Sequence, residues 1–214
     1  MSGHRLFVIA HRAGNGLDTL RAAETAGALW VEADVWAHRG RLEVRHTKTM
    51  GPIPLLWDRW RLELANRPQL TLDALVRSAK QETTLLLDLK GSAPDLVPLA
   101  SSTLDELAPQ RPYAVCSRNW DLLDAYPRGP RVRVLYSVGS APELRAALQH
   151  LAQPRTDGIS IHARLLTAEV VAHLREQAGM VISWPINTLA LAERLQSWGV
   201  DGVSTDRLEV VRAL

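Results

Sequence analysis

Glu32 and Asp34 stand one residue apart in the run Val31-Glu32-Ala33-Asp34-Val35. The run reads as a largely buried strand, and alternate side chains of a strand share a face, so both acids point the same way. Two buried carboxylates facing one place repel each other and lose hydration unless a cation lies between them. The pair is therefore a candidate metal site. A third acid, Asp88, lies in Leu85-Leu86-Leu87-Asp88-Leu89-Lys90, where strand parity puts Asp88 and Lys90 on one face. Three carboxylates with no cysteine form an all-oxygen set suited to a hard divalent cation, Mg2+ or Ca2+. His11 and His46 each follow an extended run. Imidazole titrates near neutrality, so the two are candidates for general base and general acid. Arg12 and Lys90 add fixed positive charge, the first suited to gripping phosphate oxygens bidentately and the second acting as a point charge. A divalent ion, two cations and an acid/base pair together suit chemistry at a phosphate ester.

Each of these residues also has a structural reading: a buried ion pair for Glu32 and Asp34, a core or capping histidine for His11, a mutual pair for Asp88 and Lys90. What argues for chemistry is their common position at the carboxyl ends of the elements that carry them. Extended runs are expected at Leu6–Ala10, Trp30–Val35, Leu42–Arg45, Thr84–Leu89, Tyr113–Ser117, Val132–Tyr136, Gly158–Ile161, Met180–Trp184 and Gly202–Ser204. Most are separated by amphipathic helical patterns, namely Leu17–Ala26, Leu72–Ala79, Asp95–Leu107, Pro142–His150, Ala168–Gln177 and Leu189–Trp198. Such alternation predicts a parallel sheet covered by helices. The link from Val35 to Leu42 is too short for a crossover helix, so those two runs should form an antiparallel hairpin. About eight parallel strands remain, which predicts an α/β fold of the (β/α)8 TIM-barrel class with a short β-hairpin after the second strand. In such barrels the active site gathers at the carboxyl ends of the strands. Residues 1–214 read as one domain, with a compact irregular insertion at about 47–70 that holds Trp57 and Trp60 and is expected to form a lid or side wall.

Other residues read more blandly. Asp206 and Arg207 close the last strand and read as structural pairing, and Cys116 reads as a small buried hydrophobe. His162 lies just beyond a strand and is a weak candidate for lining the pocket, whereas His4, His38, His150 and His173 read as solvated. Trp36, Trp57, Trp60 and Trp184 are aromatic groups able to stack on a quaternary ammonium, with Trp184 a candidate for substrate contact.

Composition sets the outer bounds. The chain has 214 residues, 46% hydrophobic and 22% charged, with a net charge of +2, too small to argue for nucleic acid or an anionic membrane. Of its 25 basic residues only Lys48, Lys80 and Lys90 are lysine. The single cysteine excludes an internal disulfide and a CxxC metal site. No apolar run is long enough to span a bilayer, and Met1-Ser2-Gly3-His4-Arg5 does not open a signal peptide, so a cytoplasmic protein is expected.

From His11 to Arg207 the sequence resembles the glycerophosphodiester phosphodiesterase family. The resemblance is carried by His11-Arg12, Val31-Glu32-Ala33-Asp34-Val35, Leu42-Glu43-Val44-Arg45-His46, Leu87-Asp88-Leu89-Lys90, and Trp184-Pro185-Ile186-Asn187 followed by Gly199 to Arg207. It implies a TIM barrel that hydrolyses glycerophosphodiesters, small-molecule substrates, to sn-glycerol 3-phosphate and an alcohol. By position, Glu32, Asp34 and Asp88 would hold one divalent cation, His11 and His46 would be the acid/base pair, and Arg12, Lys90 and Trp184 would meet phosphate or substrate. The sequence departs from the family pattern at Ala13, where glycine is usual, and at Gly16-Leu17-Asp18-Thr19, where Asp18 stands in place of an asparagine. It also departs at Thr47, where aspartate is usual, and at Asp88, where the usual acid is glutamate. Rival readings are a related lipid phosphodiesterase of the lysophospholipase D or sphingomyelinase D kind and a barrel that binds a phosphorylated ligand without turnover. Neither the alcohol, the choice between Mg2+ and Ca2+, which histidine is acid and which base, nor the oligomeric state follows from the sequence.

Overall fold

The computed structural model describes residues 6–50, 53–58, 61–64, 68–150 and 156–214. His4 and Trp60 lie outside the described residues, as do the side chains of Trp57 and His150. In chain order the first elements are β1 (Phe7–Ala10), α1 (Leu17–Thr25), β2 (Trp30–His38), β3 (Arg41–Val44), β4 (Lys48–Met50), β5 (Ile53–Asp58), β6 (Arg61–Leu64), β7 (Leu70–Thr71) and α2 (Leu72–Ser78). There follow β8 (Thr84–Lys90), α3 (Leu96–Leu107), β9 (Tyr113–Ser117), α4 (Trp120–Asp124), β10 (Val132–Val138), α5 (Ala141–His150) and β11 (Gly158–His162). The chain continues through α6 (Ala168–Gln177), β12 (Val181–Trp184), α7 (Leu189–Trp198), β13 (Gly202–Thr205) and α8 (Leu208–Ala213).

Eight parallel strands close a ring in the order β1, β13, β12, β11, β10, β9, β8, β2, with β2 pairing back onto β1. This is the (β/α)8 barrel that the alternation of runs predicts. β3 lies antiparallel on β2, pairing Val35 with Val44 and His38 with Arg41, and β7 extends that edge. Arg39 and Gly40 form the tip, both with positive φ (51° and 72°), the backbone that a two-residue hairpin demands. Thr71, Thr167 and Thr188 cap α2, α6 and α7, each hydroxyl accepting the N–H three residues on (Ala74, Val170, Leu191), which fixes where strand-to-helix loops end.

The inside of the ring is apolar at its amino end and polar at its carboxyl end. Ile9, Leu86, Ala114, Cys116, Leu135 and Ile182 fill the interior, with Phe7 stacked on Trp30 at 4.8 Å below them. Gly202 makes room for that stack, since a Cβ there would sit 2.4 Å from the Phe7 ring. Burying each large apolar side chain contributes about 1.5–3 kcal/mol. A plug of this kind holds the strands rigid beneath whatever the next inward-facing residues do.

Two features differ from the sequence reading. The segment expected to be irregular carries a three-stranded antiparallel sheet, β4-β5-β6. Prolines at 52, 54 and 68 break the hydrophobic alternation by which strands are recognised. The short helices α4 and α8, five and six residues long, are too brief for a helical period to register.

Candidate active site

The polar carboxyl end of the ring is built from β1, β2, β3 and β8. Parity places Glu32 and Asp34 of β2 and Asp88 of β8 inward, and parallel pairing sets Asp34 opposite Asp88. One carboxylate oxygen from each of the three lies within 4.8 Å of the others. Glu32 and Asp34 are 4% and 2% exposed, so these charges are held away from water. Asp88 Oδ1 is buried and has no hydrogen-bond partner. Three converging hard oxygens, one of them orphaned, fit a divalent cation of the Mg2+ or Ca2+ kind.

The protein meets part of the charge itself. Lys90 Nζ stands 2.9 Å from Asp34 Oδ1 and also pairs with Asp88 Oδ2. Burial pushes the Glu32 carboxyl well above the usual carboxylate range, and the fields of Asp34 and Asp88 add to it. Asp88 is likewise raised by burial, against the pull of Lys90. Burial works on Asp34 too, but Lys90 and a hydrogen bond from Asn15 outweigh it and hold that carboxyl low. For Lys90 the three carboxylates overcome burial and raise its pKa, so it stays protonated.

The loop after β1 wraps the cluster. Arg12 adopts the left-handed conformation (φ 54°), rare for a side chain with a Cβ, and this turns its backbone N–H onto Glu32 Oε2 at 2.6 Å. The Arg12 guanidinium lies 3.9 Å from Asp34. Asn15 grips Asp34 twice: its Nδ2 donates to Oδ2 at 2.7 Å and its Oδ1 accepts from the Asp34 N–H at 2.8 Å. Sequence reasoning missed Asn15 and looked to Asp18 instead. Asp18 is on the helix surface, paired with Arg21 at 3.2 Å and away from the cluster. Gly14 lets the loop lie against β2, since a Cβ there would stand 2.8 Å from Ala33 Cβ and 3.0 Å from Glu32 O.

His11 sits between the loop and the last strand. Its Nδ1 is 2.7 Å from Asp206 Oδ1 and its Nε2 is 4.0 Å from Glu32 Oε2. A carboxylate accepts, so the Nδ1 carries the proton and Nε2 is left to accept one. Burial and the neighbouring Arg12 hold the imidazole below its ordinary pKa, while Asp206 opposes them. Asp206 is set in place by Asn187, whose Oδ1 accepts from the Asp206 N–H (3.1 Å) and the Thr205 hydroxyl (3.0 Å). The structural pairing expected of Asp206 is thus a pairing with His11, 195 residues away in sequence.

His46 follows β3, where Arg45 N–H donates to Asp34 O at 3.0 Å and brings the hairpin back to the level of the cluster. The half-buried His46 imidazole lies close enough for its field to help hold Asp34 low. Trp36 walls the same side, with its indole N–H donating to Arg45 O (3.0 Å) and the Arg45 guanidinium 5.1 Å over its ring. Trp184, at the end of β12, is separate from the carboxylates; it meets His162 edge-on at 4.9 Å on the far wall of the mouth. Cys116 is buried in the barrel interior, as its reading as a small hydrophobe expects.

No protein-family model matches the sequence, and no curated protein does. Solved structures match over nearly the whole chain. A phosphodiesterase of Oleispira antarctica, determined with the product sn-glycerol-3-phosphate, is 23% identical with a TM-score of 0.78, covering 97% of this chain and 95% of its own. A glycerophosphodiester phosphodiesterase of Thermotoga maritima is 19% identical with a TM-score of 0.75, covering 97% of each chain. Another from Parabacteroides distasonis is 23% identical with a TM-score of 0.74, covering 99% of this chain and 97% of its own. At these identities the likeness is one of fold.

Proposed function

We propose that this chain is a glycerophosphodiester phosphodiesterase, a one-domain barrel that hydrolyses glycerophosphodiesters to sn-glycerol 3-phosphate and an alcohol with the help of one divalent cation. The observation that carries the reading is the convergence of Glu32, Asp34 and Asp88 within 4.8 Å beside an imidazole already oriented by a carboxylate. Structural neighbours of that activity, one holding sn-glycerol-3-phosphate, support it. Glu32, Asp34 and Asp88 would hold the ion, which when bound neutralises charge on a phosphate and makes an oxygen nucleophile more acidic.

The chain's own residues supply the rest. His11 is the general base: Asp206 fixes the proton on Nδ1, Nε2 faces the cluster, and the lowered pKa keeps the ring neutral and able to accept a proton near pH 7. Asp206 then steadies the imidazolium that forms. His46, entering from the hairpin, is the general acid that returns a proton to the leaving alkoxide. Arg12 and Lys90 give positive charge to the phosphate oxygens, and Trp184 lines the path of the substrate. The hydrogen bond at His11 Nδ1, which the sequence does not disclose, supports this role assignment. Among the described residues no helix is long and apolar enough to cross a membrane. The single buried thiol suits a reducing cytoplasm.

The test is a hydrolysis screen of several glycerophosphodiesters with added Mg2+ or Ca2+ and an EDTA control. Activity should vanish with the chelator and return with the ion. His11→Ala and His46→Ala should each lower turnover by about 10²–10⁴ without lowering the melting temperature. Full activity in demetallated buffer, or wild-type turnover by both variants, would refute the proposal.

A further inference from the structure

The wall of the mouth across from the carboxylates is made by β9 to β12 and the loops that follow them. His162 and Trp184 are register partners at the last positions of β11 and β12. His162 Nδ1 accepts the Arg164 N–H at 3.2 Å, which leaves its own proton on Nε2. Partial burial and Arg164 hold the His162 pKa low, so the ring is neutral. Gly139, just past β10, lies between two larger groups: a Cβ there would stand 3.4 Å from both the Trp184 ring and the Arg118 guanidinium. The Arg164 guanidinium donates to Gly139 O at 2.6 Å. Glu143 is the carboxylate among these groups, and both its oxygens are engaged, Oε1 by Arg118 Nε (3.1 Å) and Oε2 by the Gly139 N–H (2.6 Å).

The polar groups that this wall carries besides Glu143 are therefore N–H donors: two guanidinium groups, the His162 Nε2–H and the Trp184 indole. Two guanidinium charges against one carboxylate leave it net positive. Trp36, on the opposite wall, already carries the Arg45 guanidinium 5.1 Å over its ring. That guanidinium is itself paired with Glu43 (Nε to Oε2, 2.7 Å), so of the two aromatic walls it is the one at Trp184 that carries net positive charge. A quaternary ammonium is drawn to aromatic faces, but at Trp184 it meets a wall of net like charge. Hydroxyl groups accept from such donors, and the C–H face of a polyol ring packs on an indole.

We propose that the wall formed by Arg118, Gly139, His162, Arg164 and Trp184 selects the alcohol arm of the phosphodiester, and that this alcohol is a polyol without positive charge, of the inositol or glycerol kind. The inference rests on the hydrolase reading above and names the substrate class for the same site. Purified protein with its divalent ion is given glycerophosphoinositol, glycerophosphoglycerol and glycerophosphocholine, and kcat/KM is measured for each. The polyol diesters should exceed glycerophosphocholine by about tenfold or more, a difference of about 1.4 kcal/mol. Arg118→Met removes one positive charge and uncovers Glu143, and it should erase most of that ratio, with melting temperature as the check on folding. Equal or better use of glycerophosphocholine by the wild type overturns the inference while leaving the hydrolase reading intact. If no diester is cleaved, the hydrolase reading falls, and calorimetric binding of the same intact diesters decides the matter. Tighter binding of the polyol diesters then supports the wall's selectivity, and equal or absent binding overturns it.

Discussion

Lys90→Met tests whether the acidic cluster is held together by a resident cation. Three carboxylates with oxygens within 4.8 Å of one another repel by about 3.5 kcal/mol per ionised pair or more at an effective dielectric of 20. Lys90 offsets this from 2.9 Å at Asp34 and from its contact with Asp88. Removing one partner of a buried ion pair costs about 3–5 kcal/mol. The Lys90 side chain is 31% exposed, and Glu32, pushed up by burial, sheds part of the repulsion by keeping its proton. Screening and protonation bring the expected loss to about 2–3 kcal/mol. For a chain of this length that is a fall of about 5–10 °C in melting temperature, measured by calorimetry in EDTA. A divalent ion at about 100 times its Kd adds about 2.7 kcal/mol to whichever protein binds it, and it should stabilise the variant at least as much as the wild type. A variant that melts with the wild type in EDTA, or a deficit that the ion widens, would sink the reasoning.

Two further outcomes follow from the loop after β1 and the end of β13. Asp206 raises the His11 pKa and Arg12 lowers it, so Asp206→Asn should move the acid limb of the kcat/KM profile to lower pH and reduce kcat, and Arg12→Met should move that limb to higher pH; pH–rate profiles that stay in place would show that His11 is not the titrating base. Gly14→Ala puts a Cβ against Ala33 and the Glu32 carbonyl, both in a rigid strand, and should cost about 1–3 kcal/mol and weaken ion binding together; thermal melting and a calorimetric ion titration check both.

Much of this site is legible in the amino-acid sequence alone. Parity along β2 and β8 puts Glu32, Asp34, Asp88 and Lys90 on inward faces, and that rule needs only neighbouring residues. The hairpin after β2 was legible because a six-residue link admits no crossover. Asn15 and Asp206 were not, because their partners are set by tertiary closure. Asn15 reaches Asp34 only when the loop folds back over β2, and Asp206 reaches His11 only when β13 docks beside β1. Asp18 attracted attention by its place in a motif, yet the amide that grips Asp34 is Asn15, three residues earlier. The sheet of β4 to β6 was hidden by prolines, whose local preference speaks against strands even where backbone pairing forms.

The way the ring closes bears on how robust the chemistry is. β1 is joined to β13 through four residue pairs but to β2 through only two, Ile9 with Trp30 and Ala10 with Val31. The imidazole travels with the better-anchored side of that seam, and the acids belong to the other. Any opening of the ladder there parts the proposed proton acceptor from the acidic cluster while every side chain of the proposed site stays intact. If the proposed function holds, changes at Ile9, Ala10, Trp30 or Val31 reach turnover by loosening a joint, without altering a single proposed participant in the reaction.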